Sequence, residues 1–221
     1  MVAVDIWVEG IADQKFLADV LKTWYNLSFD KNFKCRDESR KIALQIRKGD
    51  GVSNFNSEEG WGKIQPSFEE NNAIGTKNLI IADADEDFLA RKKEIEKTVK
   101  AVDFNVESDL FLWPNHQAHA EKGDLERLLE QIIHPDNKAI FECWRAYEEC
   151  LNNAPGKTYT TPARKTKIYA YLEALLGETK SEKDKIKERE RDYANVDHWQ
   201  LDNTKEPLKS LHEFLKQHLG L

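Results

Sequence analysis

The sequence predicts an α/β fold: a small, mostly parallel sheet flanked by helices, with a helical C-terminal extension. Three observations predict it. The apolar runs Val4-Asp5-Ile6-Trp7-Val8 and Asn78-Leu79-Ile80-Ile81-Ala82 each stop abruptly at acidic residues, the pattern of strands buried on both faces of a parallel sheet. Strand-like and helical periods alternate through the first half of the chain, which implies right-handed crossovers. After Gly123-Asp124 every periodic segment is helical.

The elements follow in order. The strand through Val8 closes in a Glu9-Gly10 turn, where the glycine allows the tight backbone. Asp13 reads as the N-cap of a helix to about residue 25, with Phe16, Leu17, Val20, Leu21 and Trp24 on one stripe. Residues 26–39 are polar and read as irregular. Ile42, Leu44 and Ile46 alternate, which gives a second strand ending near Arg47. Residues 48–54, rich in Gly, Asp, Ser and Asn, read as a loop, and 61–71 as a helix that Pro66 blurs. The third strand enters Asp83. Residues 88–102 form a charged amphipathic helix on Leu89, Ile95 and Val99, and Leu110 to Trp113 a fourth strand closed by Pro114-Asn115.

Beyond residue 122 the predicted organisation changes, so the chain divides into an α/β part, 1–122, and a helical extension, 123–221, packed on it. Asp124 caps a helix carrying Leu125, Leu128, Leu129 and Ile132. Further helices are predicted over 138–151, 164–176 and 206–219. Residues 177–192 are almost all charged and read as a solvated face.

Composition narrows the classes of function. With 221 residues the chain can bury a sizeable core, and 40% hydrophobic with 33% charged residues describe a globular protein with a well-solvated surface. No apolar stretch approaches the roughly 20 residues of a membrane span, and no basic and apolar leader precedes the first strand, which predicts the cytoplasm. Cys35, Cys143 and Cys150 have no zinc-site neighbours and read as reduced structural thiols. Forty acidic residues against 33 basic ones give a net charge of −7. That disfavours diffuse attraction to polyphosphate over the whole surface, yet a bound cation and a local basic patch can reverse the field at one site.

The chemistry sits in the two acidic clusters, Glu9-Gly10-Ile11-Ala12-Asp13 and Asp83-Ala84-Asp85-Glu86-Asp87. Ligands of open parallel sheets bind beyond the carboxyl ends of the strands, so Glu9, Asp83 and Asp85 should face one crevice. Several carboxylates there stay ionised only around a cation, and an all-oxygen set selects Mg²⁺ or Mn²⁺. Asp13 is a candidate further from the metal, with helix capping as the equal alternative. Asp87 and Glu86 are ligands or helix-start acids, and Glu126 is a candidate for a second metal or an ordinary first-turn glutamate. Arg47 and Lys48, at a strand end, are candidates for phosphate contact. Arg164-Lys165-Thr166-Lys167 and Arg91-Lys92-Lys93 read as solvated helix faces, His116 and His119 as a surface pair, and Trp61, Trp113 and Trp199 as core.

Val8-Glu9-Gly10-Ile11-Ala12-Asp13 and Ile81-Ala82-Asp83-Ala84-Asp85 resemble the two motifs of the Toprim domain of topoisomerases, DnaG-type primases and OLD-family nucleases. The resemblance covers about residues 1–112. Leu112-Trp113-Pro114-Asn115, the stretch Gly123-Asp124-Leu125-Glu126-Arg127-Leu128-Leu129, His198-Trp199 and Pro207-Leu208-Lys209-Ser210-Leu211 are similar to a group of stand-alone Toprim-like prokaryotic proteins. The resemblance implies a Rossmann-like Toprim sheet, Mg²⁺ on Asp83 and Asp85, and metal binding or general acid/base work for Glu9. It also implies nucleic acid as the partner, DNA or RNA. No topoisomerase tyrosine domain, primase zinc module or ATPase domain accompanies the motifs, which leaves a small metal-dependent nuclease. Haloacid-dehalogenase phosphatases place Asp-x-Asp on the first strand, and Asp-x-Asp glycosyltransferases leave Glu9-Gly10 unexplained. Two other classes stay open: a catalytically idle module binding metal-bound nucleotide or nucleic acid, and a toxin or phage-defence component acting with a protein partner.

Overall fold

The structure is a computed structural model describing residues 2–49, 55, 58–100, 103, 109–114 and 122–221. Five strands form one sheet: β1 (Val2–Val8), β2 (Lys34–Asp37), β3 (Ile42–Lys48), β4 (Lys77–Asp83) and β5 (Leu110–Trp113), in the spatial order β2-β3-β1-β4-β5. β1 runs parallel to both β3 and β4, and β4 parallel to β5; β2 alone is antiparallel. This is the expected α/β, mostly parallel, Rossmann-like architecture. β2 falls in the stretch expected to be irregular. Its four residues, Lys-Cys-Arg-Asp, bury only Cys35, so an edge strand of this composition carries no apolar run to announce it.

Side-chain alternation along the strands sorts the core into two layers. Val4, Ile6 and Val8 of β1, Leu79 and Ile81 of β4, and Phe111 and Trp113 of β5 face one side. There they meet Phe16, Leu17, Val20 and Leu21 of α1 (Ile11–Tyr25). The other side gathers Trp7, Ile80, Ala82, Leu110 and Leu112 under Trp61, Ile64 and Phe68 of α2 (Glu58–Ile74) and Phe88, Ile95 and Val99 of α3 (Phe88–Val99). Helices on both faces let the strands be apolar on both sides, which is why β1 and β4 read as continuous runs.

The chain after Gly123 belongs to the first layer. α4 (Leu125–Gln131), α6 (Arg164–Leu176) and α8 (Leu208–Leu219) add Leu128, Leu129, Tyr171, Leu172, Leu211, Phe214 and Leu215 to the α1 side of the core. Phe111 of β5 packs on Phe214 at 5.4 Å between ring centroids. The Trp24 indole donates to the Leu201 carbonyl at 2.9 Å, and the Tyr193 amide donates to Asp19 at 2.8 Å. α5 (Lys138–Asn152) lies outermost and buries only Phe141.

Several local expectations change. α1 starts at Ile11 with Gly10 as its cap, and Asp13 sits in its first turn; its carboxylate reaches back to the Gly10 amide at 3.0 Å. In α3, Leu89 is exposed and Arg91 takes the buried place on the stripe. The charged stretch 177–192 contains a short helix, α7 (Lys180–Asp184), but its end is interior: Arg191 is 1% exposed, beside a fully buried Tyr193. Cys143 and Cys150 are exposed on α5, so only Cys35 is a buried thiol. Trp7, Trp61, Trp113 and Trp199 are core residues. Among the described residues no helix is long and apolar enough to cross a membrane.

Candidate functional site

β1 and β4 are neighbours whose onward connections leave toward opposite edges of the sheet, β1 toward β3 and β4 toward β5. That arrangement opens a crevice beyond their carboxyl ends. Glu9 follows β1 directly, and Asp83 is the last residue of β4. The Gly10 turn then folds α1 back so that Asp13 lies beside them. Its second carboxylate oxygen accepts the Trp113 indole N–H from the end of β5 at 3.0 Å. Asp83 accepts the Leu125 amide, in the first turn of α4, at 3.2 Å. Three strand ends and the first helix of the extension therefore converge on one acidic cluster.

The electrostatics report that convergence. Burial pushes the Asp83 carboxyl up to about 9, reinforced by repulsion from Asp13, Glu9, Glu126 and Asp124. Asp13 rises to about 7 through burial and then Glu9 and Glu126. Glu9 is raised by burial, against the pull of Arg91, and Glu126 by burial and Asp124. Like-charged carboxyls that raise one another are a group short of positive charge. Glu126, reachable from sequence only as one of two equal alternatives, feels the same field as Asp83 and Asp13.

Asp85 turns away from the strand. Its φ of 52° puts it in the left-handed region, and its amide and carbonyl pair with those of Gly123 at 2.9 Å each way. This two-bond bridge ties the second acidic motif to the start of α4 and leaves the Asp85 side chain 59% exposed at the crevice mouth. Gly123 has φ +147°, and a Cβ there would stand 2.7 Å from Arg127 Cδ and 3.3 Å from Arg127 Cβ. Gly123→Ala is expected to destabilise the protein by about 1–3 kcal/mol. An unchanged melting temperature in a thermal scan would contradict the bridge's role.

One cation enters the crevice from the protein itself. Arg91 Nη2 donates to Glu9 Oε1 at 2.6 Å, its Nε to the Asp83 carbonyl at 3.2 Å, and it lies 3.3 Å from carboxylate oxygens of Asp85 and Glu94. The sequence predicts Arg91 on a solvated face, and the structure buries it. The available signal was its register, three residues after Phe88 and four before Ile95.

The remaining predicted residues fall elsewhere. Asp87 is the N-cap of α3 and accepts the Ala90 amide at 3.0 Å, which explains it without a metal. Glu86 pairs with Lys122 at 2.9 Å. The Arg47 guanidinium turns along the sheet onto Asp5 and lies 5.3 Å from the Trp7 ring, away from the acidic cluster. Lys48 ends β3, opposite Val8 in register. Arg164 is exposed and Lys167 partly buried, and they pair with Asp124 and Glu130. Asn115, His116, His119 and residues 50–54 of the glycine loop lie outside the described residues.

The donor chemistry suits a hard cation, all oxygen and mutually repelling. Among the described residues, however, no three His, Cys, Asp or Glu side chains stand ready-arranged around a metal position. The held geometry gives the reason: Glu9 is drawn to Arg91, and Asp13 is fixed by Gly10 and Trp113.

Fold and site together define an α/β protein with an acidic cluster at the carboxyl edge of a Rossmann-like sheet. The chain belongs to the family described as a protein of unknown function, DUF3226, whose profile matches residues 4–219. No curated protein and no solved structure matches it.

Proposed function

We propose that this protein is a Mg²⁺- or Mn²⁺-dependent nuclease or a related phosphodiester-processing enzyme acting on nucleic acid. The observation that carries it is the convergence of Glu9, Asp13, Asp83 and Glu126, from both acidic motifs and the extension, in one buried crevice at the strand ends. The Toprim resemblance of the two motifs supports the same chemistry. Asp83, Glu9 and Asp85 would hold the ion, with Glu126 beside them. A bound divalent cation supplies charge for the phosphoryl oxygens and lowers the pKa of its water. The protein's share is to shape the crevice: Gly10 presents Glu9, Trp113 and the Gly10 amide fix Asp13, and the Asp85–Gly123 bridge sets the mouth.

A second proposal is a binding module that holds a metal-bound nucleotide or nucleic acid without turnover. Arg91 favours it, because the guanidinium on Glu9 occupies the group that would do acid/base work. Incubation of supercoiled DNA, single-stranded DNA and RNA with Mn²⁺ separates the two. Cleavage of at least one substrate, suppressed by EDTA, is the expected result. Mn²⁺ binding by calorimetry with no cleavage of any substrate would overturn the enzyme in favour of the module.

A further inference from the structure

We infer that Arg91 is the resident counter-ion of the acidic crevice and that a divalent cation enters by displacing it from Glu9 and Asp85; this rests on the metal-binding proposal above. A guanidinium 3% exposed is expensive to bury unless its donors are satisfied and its charge is balanced. Both conditions are met here by one particular set of groups. The acceptors come from the end of β1 (Glu9), the end of β4 (the Asp83 carbonyl), the bridge residue Asp85 and, one turn along the same helix, Glu94. Arg91 is thus the link by which the second acidic motif's own helix reaches across to the first.

Its partners differ in kind. Glu94 is half-exposed on α3, at the same mouth as Asp85, and follows neither strand end. Glu9 and Asp85 are the carboxylates that Asp83 needs to complete a hard-cation site. A metal and Arg91 therefore compete for the same two oxyanions, while Glu94 offers Arg91 a carboxylate to retain when they are taken. Arg91 moves the affinity of the site without being a ligand. It is a positioning residue: it holds Glu9 folded over the crevice until a cation arrives.

The competition fixes opposite signs for two substitutions, read by calorimetric Mn²⁺ titration of the full chain at constant ionic strength. Arg91→Gln keeps an amide donor and removes the competing charge, so Mn²⁺ should bind at least about fivefold tighter, the lower end of ordinary coupling between two sites. Glu94→Gln leaves Arg91 less neutralised and more firmly held by Glu9 and Asp85, so Mn²⁺ should bind more weakly. Arg145→Gln, an exposed residue of α5, makes the same net-charge change as Arg91→Gln and should leave the affinity where it is. Native binding that Arg91→Gln leaves equal or weaker, with an unchanged circular dichroism spectrum, overturns the counter-ion role alone. If Arg91→Gln fails to fold, Glu94→Gln decides, and an equal or tighter titration overturns it. Mn²⁺ binding by Arg91→Gln but not by the native chain supports the inference in its strongest form. No binding by either removes the metal proposal and this inference with it.

Discussion

Asp83→Asn should abolish metal-dependent cleavage while making the metal-free protein harder to unfold. The substitution keeps the shape of the side chain and an oxygen for the Leu125 amide, so packing is preserved. It removes the carboxylate on which the other three in the crevice converge. Under the proposed function Asp83 is a direct ligand, and its loss should exceed the 10- to 100-fold losses known for groups one step further from a metal, so a fall of more than about 100-fold in cleavage rate is expected. The gain in stability follows from the same repulsion. The carboxyl's ordinary value of 3.8 is raised to about 9 in the fold. Below 3.8 it is protonated in both folded and unfolded chains, and its full contribution is present. Above that, the unfolded chain releases the proton while the fold retains it, so stability drains away as pH climbs toward about 9. Asparagine cannot ionise. The variant's advantage should be absent in acid, open above the ordinary carboxylate range and be largest near pH 9. Relief of an unpaired buried charge amounts to about 1–3 kcal/mol, with about 2–4 °C of melting temperature for each kcal/mol in a chain of this size. Added Mn²⁺ should reverse the order by stabilising the native protein and not the variant. Retained cleavage, or a melting curve that is flat with pH in both proteins, would remove Asp83 from the centre of the site.

What could be read from sequence divides along a physical line. β1 and β4 were legible because strands covered on both faces must be apolar throughout, and the carboxylates that end them stand out against that background. β2 was not, because an edge strand is half solvated and its four residues look like a loop. Glu9, Asp83 and Glu126 could be nominated by type and by strand or helix end. The separation of Asp87, a cap, from Asp85, a bridge residue, needed the backbone: one accepts its own helix's amide, the other is held at positive φ by Gly123. Arg91 and Arg191 were hidden for a different reason. A charged side chain is assigned to solvent unless its partners are known, and theirs come from distant parts of the chain or from the fold of a turn. Arg91 meets Glu9, 82 positions away, and Arg191 stacks 4.4 Å from the Tyr169 ring and donates to the Ile186 carbonyl and the Tyr193 hydroxyl. Burial of such groups is decided by tertiary contacts that no local periodicity contains.

The same dependence makes Phe16 the residue whose loss should be felt most widely. It is fully buried on α1, three residues past Asp13, and meets Trp113 of β5 edge-on at 5.7 Å and Tyr193 of the C-terminal segment edge-on at 5.3 Å. Three parts of the chain that are remote in sequence are thereby packed on one ring. Phe16→Ala removes that ring from a core with no solvent access, and truncations of this kind are worth about 3–5 kcal/mol. Chemical denaturation should show a midpoint lowered by that energy divided by an unchanged slope. The consequence reaches the crevice, because the Trp113 indole that rests on Phe16 is the donor that holds Asp13. A cavity under the indole lets it tilt, and the Asp13 carboxylate then keeps only the Gly10 amide. Slowly exchanging indole N–H signal from Trp113 in the native protein should therefore exchange faster in the variant, by more than the global loss of stability accounts for. A variant that loses stability but keeps the indole protected would mean that the extension packs on the sheet without bracing the site. Loss of both would tie the geometry of the acidic cluster to an apolar core residue.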